Sequence, residues 1–382
     1  MRYLIPFILT TLLLQNSLFA STPMIAGGGY HSLTLKSDGT VWSWGRNNYG
    51  QIGNGKRFKK NTPVLVNNLA DVMAIAGGTW HSLALKQDGT VWTWGRNDHG
   101  QLGDGSFKNK KTPVRVKNLT DVIAVAGGYL HSLALKSDGT VWAWGNNWSG
   151  QLGNETVVGV SNIPVQVNSL QNISSIACGG SHSLAIRSSD GVVWTWGDNT
   201  YGQVGNGTTV NSFYPVQVTG INDASAIAGG YVHSMALLSG GTVWGWGNNQ
   251  YGQLGNDSSL ERVSVPVQAK NITGISGISS LGWHNLALDS DGAVWSWGDN
   301  SNGQLGDGTY TPQNIPAQTE GLEDVVGISA GWLNSLAMKS DGTVWAWGDN
   351  RFGQLGDGTY KDRKKPIQVK DLPREDEKAK DN

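Results

Sequence analysis

The chain has 382 residues, only 15% of them charged, and a formal net charge of −1, so no global field marks it as a nucleic-acid binder. Its single cysteine, Cys178, excludes an internal disulfide. Eighteen tryptophans and 54 glycines dominate the composition, and most of them recur at a fixed interval.

Residues 1–20 open with Arg2, run apolar from Leu4 to Leu14 and end Leu18-Phe19-Ala20. This pattern predicts a secretory signal peptide, with Ser21 as the first mature residue and a secreted or periplasmic location. The apolar run is short for a bilayer span, so no transmembrane span is expected after cleavage. From Met24 onward one unit repeats seven times, with starts near residues 24, 74, 124, 175, 226, 277 and 327. His31, His81, His131, His182, His233 and His284 head six copies and Asn334 the seventh, at steps of 50, 50, 51, 51, 51 and 50 residues. Such self-similarity means a repeat architecture.

In the third copy four short strands are predicted: 124–128, 131–135, 141–145 and 164–167. Ser137-Asp138-Gly139 is the turn of a hairpin between alternating runs. Four strands per unit make one propeller blade. The expectation is an all-β, seven-bladed propeller of four-stranded antiparallel blades over residues 21–372, closed near the termini. A blade offset from the repeat would let the two ends share a blade. The third strand carries two Trp two residues apart, on one face of the sheet. All fourteen such rings are expected to pack between blades, each blade burying its faces against its neighbours. Residues 373–382, PREDEKAKDN, are charged without apolar period and read as a disordered tail.

Gly-Gly-x-x-His-Ser-Leu-Ala-Leu, Asp-Gly-x-Val-Trp-x-Trp-Gly-x-Asn and Gly-Gln-Leu-Gly resemble the repeat of the regulator of chromosome condensation family, here as an exported, bacterial-type member. The resemblance covers about Met24 to Leu372 and implies a seven-bladed propeller. It implies less about activity, since propellers of one fold serve many roles.

Six histidines, one per copy, invite a catalytic or metal reading. The Ser directly follows the His, however, so the two side chains leave opposite faces of the strand. Ligands so far apart in sequence lack zinc spacing, and Asn334 replaces one imidazole while lacking its basicity. A structural hydrogen-bonding role is expected, with no metal, no cofactor and no catalytic residue. The glycines of 50–55 are in the wrong order for a dinucleotide loop. Sequons such as Asn147-Trp148-Ser149 and Asn271-Ile272-Thr273 matter only in a glycosylating host.

The informative positions are those that differ between copies. The loops after strands one and three emerge on one face. Before the His position stand Tyr30, Trp80, Tyr129, Tyr231, Trp283 and Trp332, with Gly180-Ser181 in the fourth copy. Before the Gly-Gln pair stand Tyr49, His99, Trp148, Tyr201, Tyr251 and Phe352, with Ser301-Asn302 in the sixth. The four tryptophans outside the strand pairs all fall in these loops. Clustered aromatics with a polar rim are what binding hot spots look like; the competing reading is that they close the channel mouth. The third loops also differ in charge. Copy one carries Lys56, Arg57, Lys59 and Lys60; copy two Lys108, Lys110 and Lys111; copy seven Lys361, Arg363, Lys364 and Lys365 beside Asp362. Copies three to six carry only Glu155, Asp257, Glu261 and Arg262 there. Neighbouring in a ring, the first three form a basic sector suited to an anionic partner.

These features point to an exported, non-enzymatic scaffold that binds a protein partner of unknown identity through its aromatic loops, with no nucleic acid expected. Secreted propellers of similar repeat include inhibitors of extracellular enzymes such as β-lactamases, so inhibition is a sub-case. The resemblance also raises guanine-nucleotide exchange on a small GTPase. The signal peptide and the absence of a long inserted hairpin argue against it. A third reading is carbohydrate binding, by aromatic platforms with Asn47, Asn97, Asn147, Asn199 and Asn300 nearby, and the basic sector suits an anionic surface or glycan.

Overall fold

A computed structural model describes residues 21–373, which contain 28 strands and no helix. The strands form seven four-stranded antiparallel sheets, each built from one sequence repeat in the order one-two-three-four. The first blade pairs Met24–Gly27, His31–Leu35, Val41–Gly45 and Lys60–Leu65. The seventh pairs Val325–Ala330, Asn334–Lys339, Val344–Gly348 and Arg363–Gln368. Blade and repeat coincide, so the two ends do not share a blade. The ring closes by packing the first strand of blade one against blade seven. First strands of neighbouring blades touch all the way round a central channel of about 230 Å³, lined by residues such as Ile25, Ile75, Val125 and Ile227. The expected signal peptide and all but the first residue of the expected tail lie outside the described residues.

Local chemistry explains the strands. At the hairpin, Asp138 Oδ1 accepts from the Thr140 amide at 3.0 Å and its hydroxyl at 2.6 Å, while Gly139 takes φ +78°. The fourth strand corrects the sequence reading: in the third blade it runs Val160–Gln166 and contains Pro164. It is the outermost strand, where a missing N–H is tolerated, and a register shift at Ala143/Gly145 admits its early residues.

The blades are joined by one repeated device. Trp144 Nε1–H and Ser132 Oγ–H both donate to the Gln101 carbonyl of the preceding blade, at 2.8 and 2.9 Å. At the closing seam Trp44 and Ser32 do the same to Gln354, both at 2.8 Å. The second Trp of each pair is therefore wholly buried: Trp44, Trp94, Trp144, Trp196, Trp246, Trp297 and Trp347 are all 0% exposed. The first Trp of each pair is only half-buried, which corrects the expectation that all fourteen are core. Several of these outer rings donate instead to the hairpin hydroxyl, as Trp142 does to Thr140 Oγ1 at 3.2 Å.

The histidines extend the same joint. His81 Nε2 lies 2.8 Å from Ser132 Oγ of the next blade. The serine proton is committed to Gln101, so the imidazole donates from Nε2 and its buried Nδ1 keeps the lone pair. Asn285 confirms the roles: its Oδ1 takes His233 Nε2 at 2.7 Å while its Nδ2 donates to Gln253 at 2.7 Å. Five of the six histidines have glycine three residues before them, and a Cβ on Gly128 would lie 2.3 Å from His131 Cε1; only before His284 does Leu281 stand in that place. The structural role expected of the histidines is the one observed. In the seventh blade Asn334 leaves both its Nδ2 and its Oδ1 buried and unpartnered, so the closing seam lacks this link.

Burial pushes His31, His81 and His131 down to about 3, and His182, His233 and His284 down to about 4. The unfolded chain takes up protons near pH 6.5 that the native imidazoles refuse, so their stabilising contribution is complete above that pH and drains away as pH falls toward 4. The urea midpoint is expected to drop steeply between pH 7 and pH 5, before carboxylates titrate. A flat profile over that window would contradict six buried neutral imidazoles.

Candidate functional site

The loops after strands one and three share one end of the ring, and their scaffold is set by asparagine. Asn47 Oδ1 accepts from the Ile52 amide at 3.0 Å, while its Nδ2 donates to the carbonyls of Lys56 at 3.0 Å and Phe58 at 3.2 Å. The equivalents Asn97, Asn147, Asn199 and Asn300 clamp their own loops in the same way. All five are at most 2% exposed with their amides consumed internally. They are not available to a sugar, which removes the polar half of the carbohydrate reading, and the Asn147 sequon is closed in the folded state. The third loops of all blades but the third then grip the next blade through a backbone hydrogen bond: Gly55 N–H donates to the Lys111 carbonyl and Gly358 N–H to that of Asn61, both at 2.9 Å.

The loop-one aromatics converge. Trp332 is the hub, with ring centroids at 5.6 Å from Tyr30, 6.4 Å from Trp80, 5.7 Å from Tyr129 and 5.1 Å from Tyr231, the last stacked. Trp283 joins through Tyr231 at 5.3 Å. Rings from blades one, two, three, five, six and seven thus form one half-buried floor across the channel mouth. The fourth blade lacks a ring because Tyr231 lies over Gly180, where a Cβ would come within 2.8 Å of the Tyr231 ring. Loop-three rings form a second tier: Phe352 meets Tyr30, Tyr49 meets Trp80 and Tyr251 meets Trp283, at 5.4 to 5.8 Å. Tyr201 is half-buried beside them, its amide donating to Gln203 Oε1 at 2.9 Å. His99 and Trp148 stand apart as a separate pair at 5.3 Å, with Trp148 68% exposed. Closing the mouth and presenting a face are one structure here: the rings pack edge to edge and leave their outer surfaces to solvent.

Sequence reading missed Arg46. Its guanidinium lies 4.8 Å above Trp80, 4.5 Å above Phe352 and 5.5 Å above Tyr30, giving the floor a cationic side. The signal was present, because copies one and two have Arg after Trp-Gly where the others have Asn or Asp. Burial raises the phenol pKa of Tyr30 and Tyr231 above the ordinary value, so both hydroxyls remain donors at neutral pH.

The basic residues do gather on adjacent blades, but unequally. Lys110 pairs with Asp104 at 3.0 Å, Arg363 with Asp357 at 2.6 Å and Lys365 with Glu320 at 3.1 Å. Lys56, Arg57, Lys60, Lys108, Lys111, Lys361 and Lys364 have no ion pair among the described residues, and Lys59 lies 4.0 Å over the Tyr360 ring. Among the described residues no group of His, Cys, Asp and Glu could hold a metal ion, and no helix is long and apolar enough to cross a membrane. Cys178 is buried in the channel wall with its thiol pushed up by desolvation.

The family described as the RCC1-like domain matches residues 110–380, and the regulator of chromosome condensation (RCC1) repeat matches 38–85 and 73–101. The chain belongs to the RCC1-like family. It is 35% identical over 158 residues to the ultraviolet-B receptor UVR8 of Arabidopsis thaliana, covering 40% of this chain and 36% of that protein. It is 31% identical over 153 residues to the human E3 ubiquitin-protein ligase HERC2, covering 38% of this chain and 3% of that one. The chain thus matches little more than a third, or far less, of these relatives' lengths. Among solved structures, human WBSCR16 aligns with TM-score 0.78 at 25% identity, over 87% of this chain and 94% of that one. Prp20p from Saccharomyces cerevisiae, described with its binding to Gsp1p and histones, also gives 0.78 at 25%, over 88% and 87%. This kinship places the chain among RCC1-like propellers.

The ring geometry separates hub from rim. Trp332→Ala is expected to cost about 2 kcal/mol, from four lost ring contacts, whereas Trp148→Ala stays within about 0.5 kcal/mol. Urea unfolding of the two variants measures both; equal costs would deny Trp332 its place as hub.

Proposed function

We propose that the protein is an exported, non-enzymatic recognition scaffold that binds a protein partner through the aromatic floor and its rim. The observation that carries this reading is the continuous floor itself. Six rings from six blades meet on one face, Arg46 lies beside them and Trp148 projects at the edge. Large rings held by their neighbours lose little freedom on binding, which is why such clusters anchor interfaces. Kinship with propellers that bind proteins supports the class of partner, and the pattern of residues 1–20 supports export. Inhibition of an extracellular enzyme remains a sub-case, in which the floor would cover the enzyme's own site.

Affinity capture from envelope and culture-medium fractions tests the reading, with residues 21–382 as bait. A second bait carries Trp80→Ala, Trp148→Ala and Trp283→Ala, keeping the Trp332 hub, and is checked first for an intact unfolding transition. A protein retained by the first bait and held at least tenfold less by the second is the expected result. Equal retention by both folded baits would contradict recognition by the floor.

Guanine-nucleotide exchange is the second reading, favoured by the alignment to Prp20p over most of both chains. It requires release of a labelled guanine nucleotide from a small GTPase on addition of the chain, and an unchanged release rate removes it.

A further inference from the structure

Beyond the floor, a second set of side chains projects outward from the tips of the third loops. Phe58 is 77% exposed, Phe107 50%, Tyr310 53% and Tyr360 45%. They belong to blades one, two, six and seven, which are consecutive in the ring. The unpaired cations stand among these rings. Lys59 lies 4.0 Å over Tyr360 and Lys364 lies 5.6 Å over Tyr310. Hydrogen bonds fasten the loops into one edge: Gly308 N–H to Lys364 O at 2.8 Å, Gly358 N–H to Asn61 O and Gly55 N–H to Lys111 O, both at 2.9 Å.

We infer that this basic, aromatic edge of blades seven, one and two is a docking site for an anionic phospholipid bilayer. Charge complementarity selects an anionic occupant. The composition of the edge selects lipid over an acidic protein. Its free cations are lysines except Arg57, and lysine is depleted at protein interfaces where arginine is enriched. Clustered Lys beside exposed aromatic rings is the pattern that meets anionic headgroups, the ammonium groups at the phosphates and the rings at the interfacial level. The loop tips are already held by the asparagine clamps, so little ordering is required on contact.

The rest of the ring sets the orientation. The third loops of blades three, four and five also carry exposed apolar tips, Val158, Val210 and Leu260. In place of a lysine cluster the loop of blade three has Glu155, that of blade five Asp257, Glu261 and Arg262, and that of blade four no charge. The charge difference across the ring turns one edge toward the lipid and the other away. The propeller stands tilted, with the aromatic floor still open to a protein. The inference does not rest on what the floor binds.

Sedimentation of the full chain with extruded vesicles tests it. Vesicles of one part phosphatidylglycerol to two of phosphatidylcholine are compared with phosphatidylcholine alone. Binding to the anionic vesicles is expected, with at least a tenfold fall in 0.5 M salt and at least a tenfold fall for the variant Lys56→Glu, Lys59→Glu, Lys361→Glu. Phe58→Ser with Phe107→Ser should weaken binding several-fold, while Val158→Ser with Val210→Ser leaves it unchanged. The floor variant Trp80→Ala, Trp283→Ala should bind vesicles normally, which separates this site from the floor. Equal binding to both vesicle types, as an apolar residue 1–20 segment alone would give, overturns the proposal. So does binding indifferent to the charge reversals, or retention on polyglutamate with none on vesicles.

Discussion

A single backbone carbonyl per blade holds the ring together. Gln51, Gln101, Gln151, Gln203, Gln253, Gln304 and Gln354 each present it to the following blade, where it accepts from a buried indole. The same oxygen accepts a second proton from Ser, or from Asn285 in blade six, and that side chain accepts in turn from a buried imidazole at five of the seven seams and, as Asn285, at a sixth. A carbonyl has two lone pairs, and this one uses both. Inside a dry seam such bonds are strong and their loss is expensive. The glycines beside the imidazole and the indole exist to let these groups approach. The spacing of His, Ser, Trp-Gly and Gly-Gln in the repeat is the spacing this joint demands.

Because the joints and the asparagine clamps use residues that recur in nearly every copy, the two loops between them are free to differ. The structure therefore separates into a scaffold that varies little, with Asn285 and Asn334 as substitutions within the joint, and one face that carries most of the variation. On the inner tier variation supplies rings that pack into a floor. On the outer tier it supplies cations and exposed rings on consecutive blades. The two proposed recognition surfaces, the floor for a protein and the edge for an anionic bilayer, thus differ in chemistry and sit on the same end of the molecule.

Much of this was legible in the sequence because repetition averages away accident. Seven copies fix the blade, the hairpin and the side of the sheet on which Trp42 and Trp44 lie. The reading that His and Ser serve different neighbours follows from strand alternation alone, and the observed partners agree. What was not legible depends on distances between copies. Trp42 and Trp44 look equivalent in a strand pattern, yet only Trp44 lies where a carbonyl of the preceding blade waits. Asn47 looked like a surface polar residue, although its i+5 and i+11 partners bury it. Trp332 was one aromatic among twelve, and only the ring places it at the centre. Phe58, Phe107, Tyr310 and Tyr360 lie in irregular loops, where no hydrophobic period tells an exposed ring from a buried one.

The seam between blades seven and one is where the joint is incomplete, since Asn334 lacks the reach of an imidazole to Ser32. Hydrogen exchange of the indole Nε1–H groups, followed by NMR, tests this account most directly. The seven inner indoles should exchange far more slowly than the seven outer ones, with Trp44 the fastest of the inner set and slowed to match the others by Asn334→His. Inner and outer indoles exchanging alike, or Trp44 as protected as Trp144 in the unmodified chain, would contradict the carbonyl joint as the element that holds the ring.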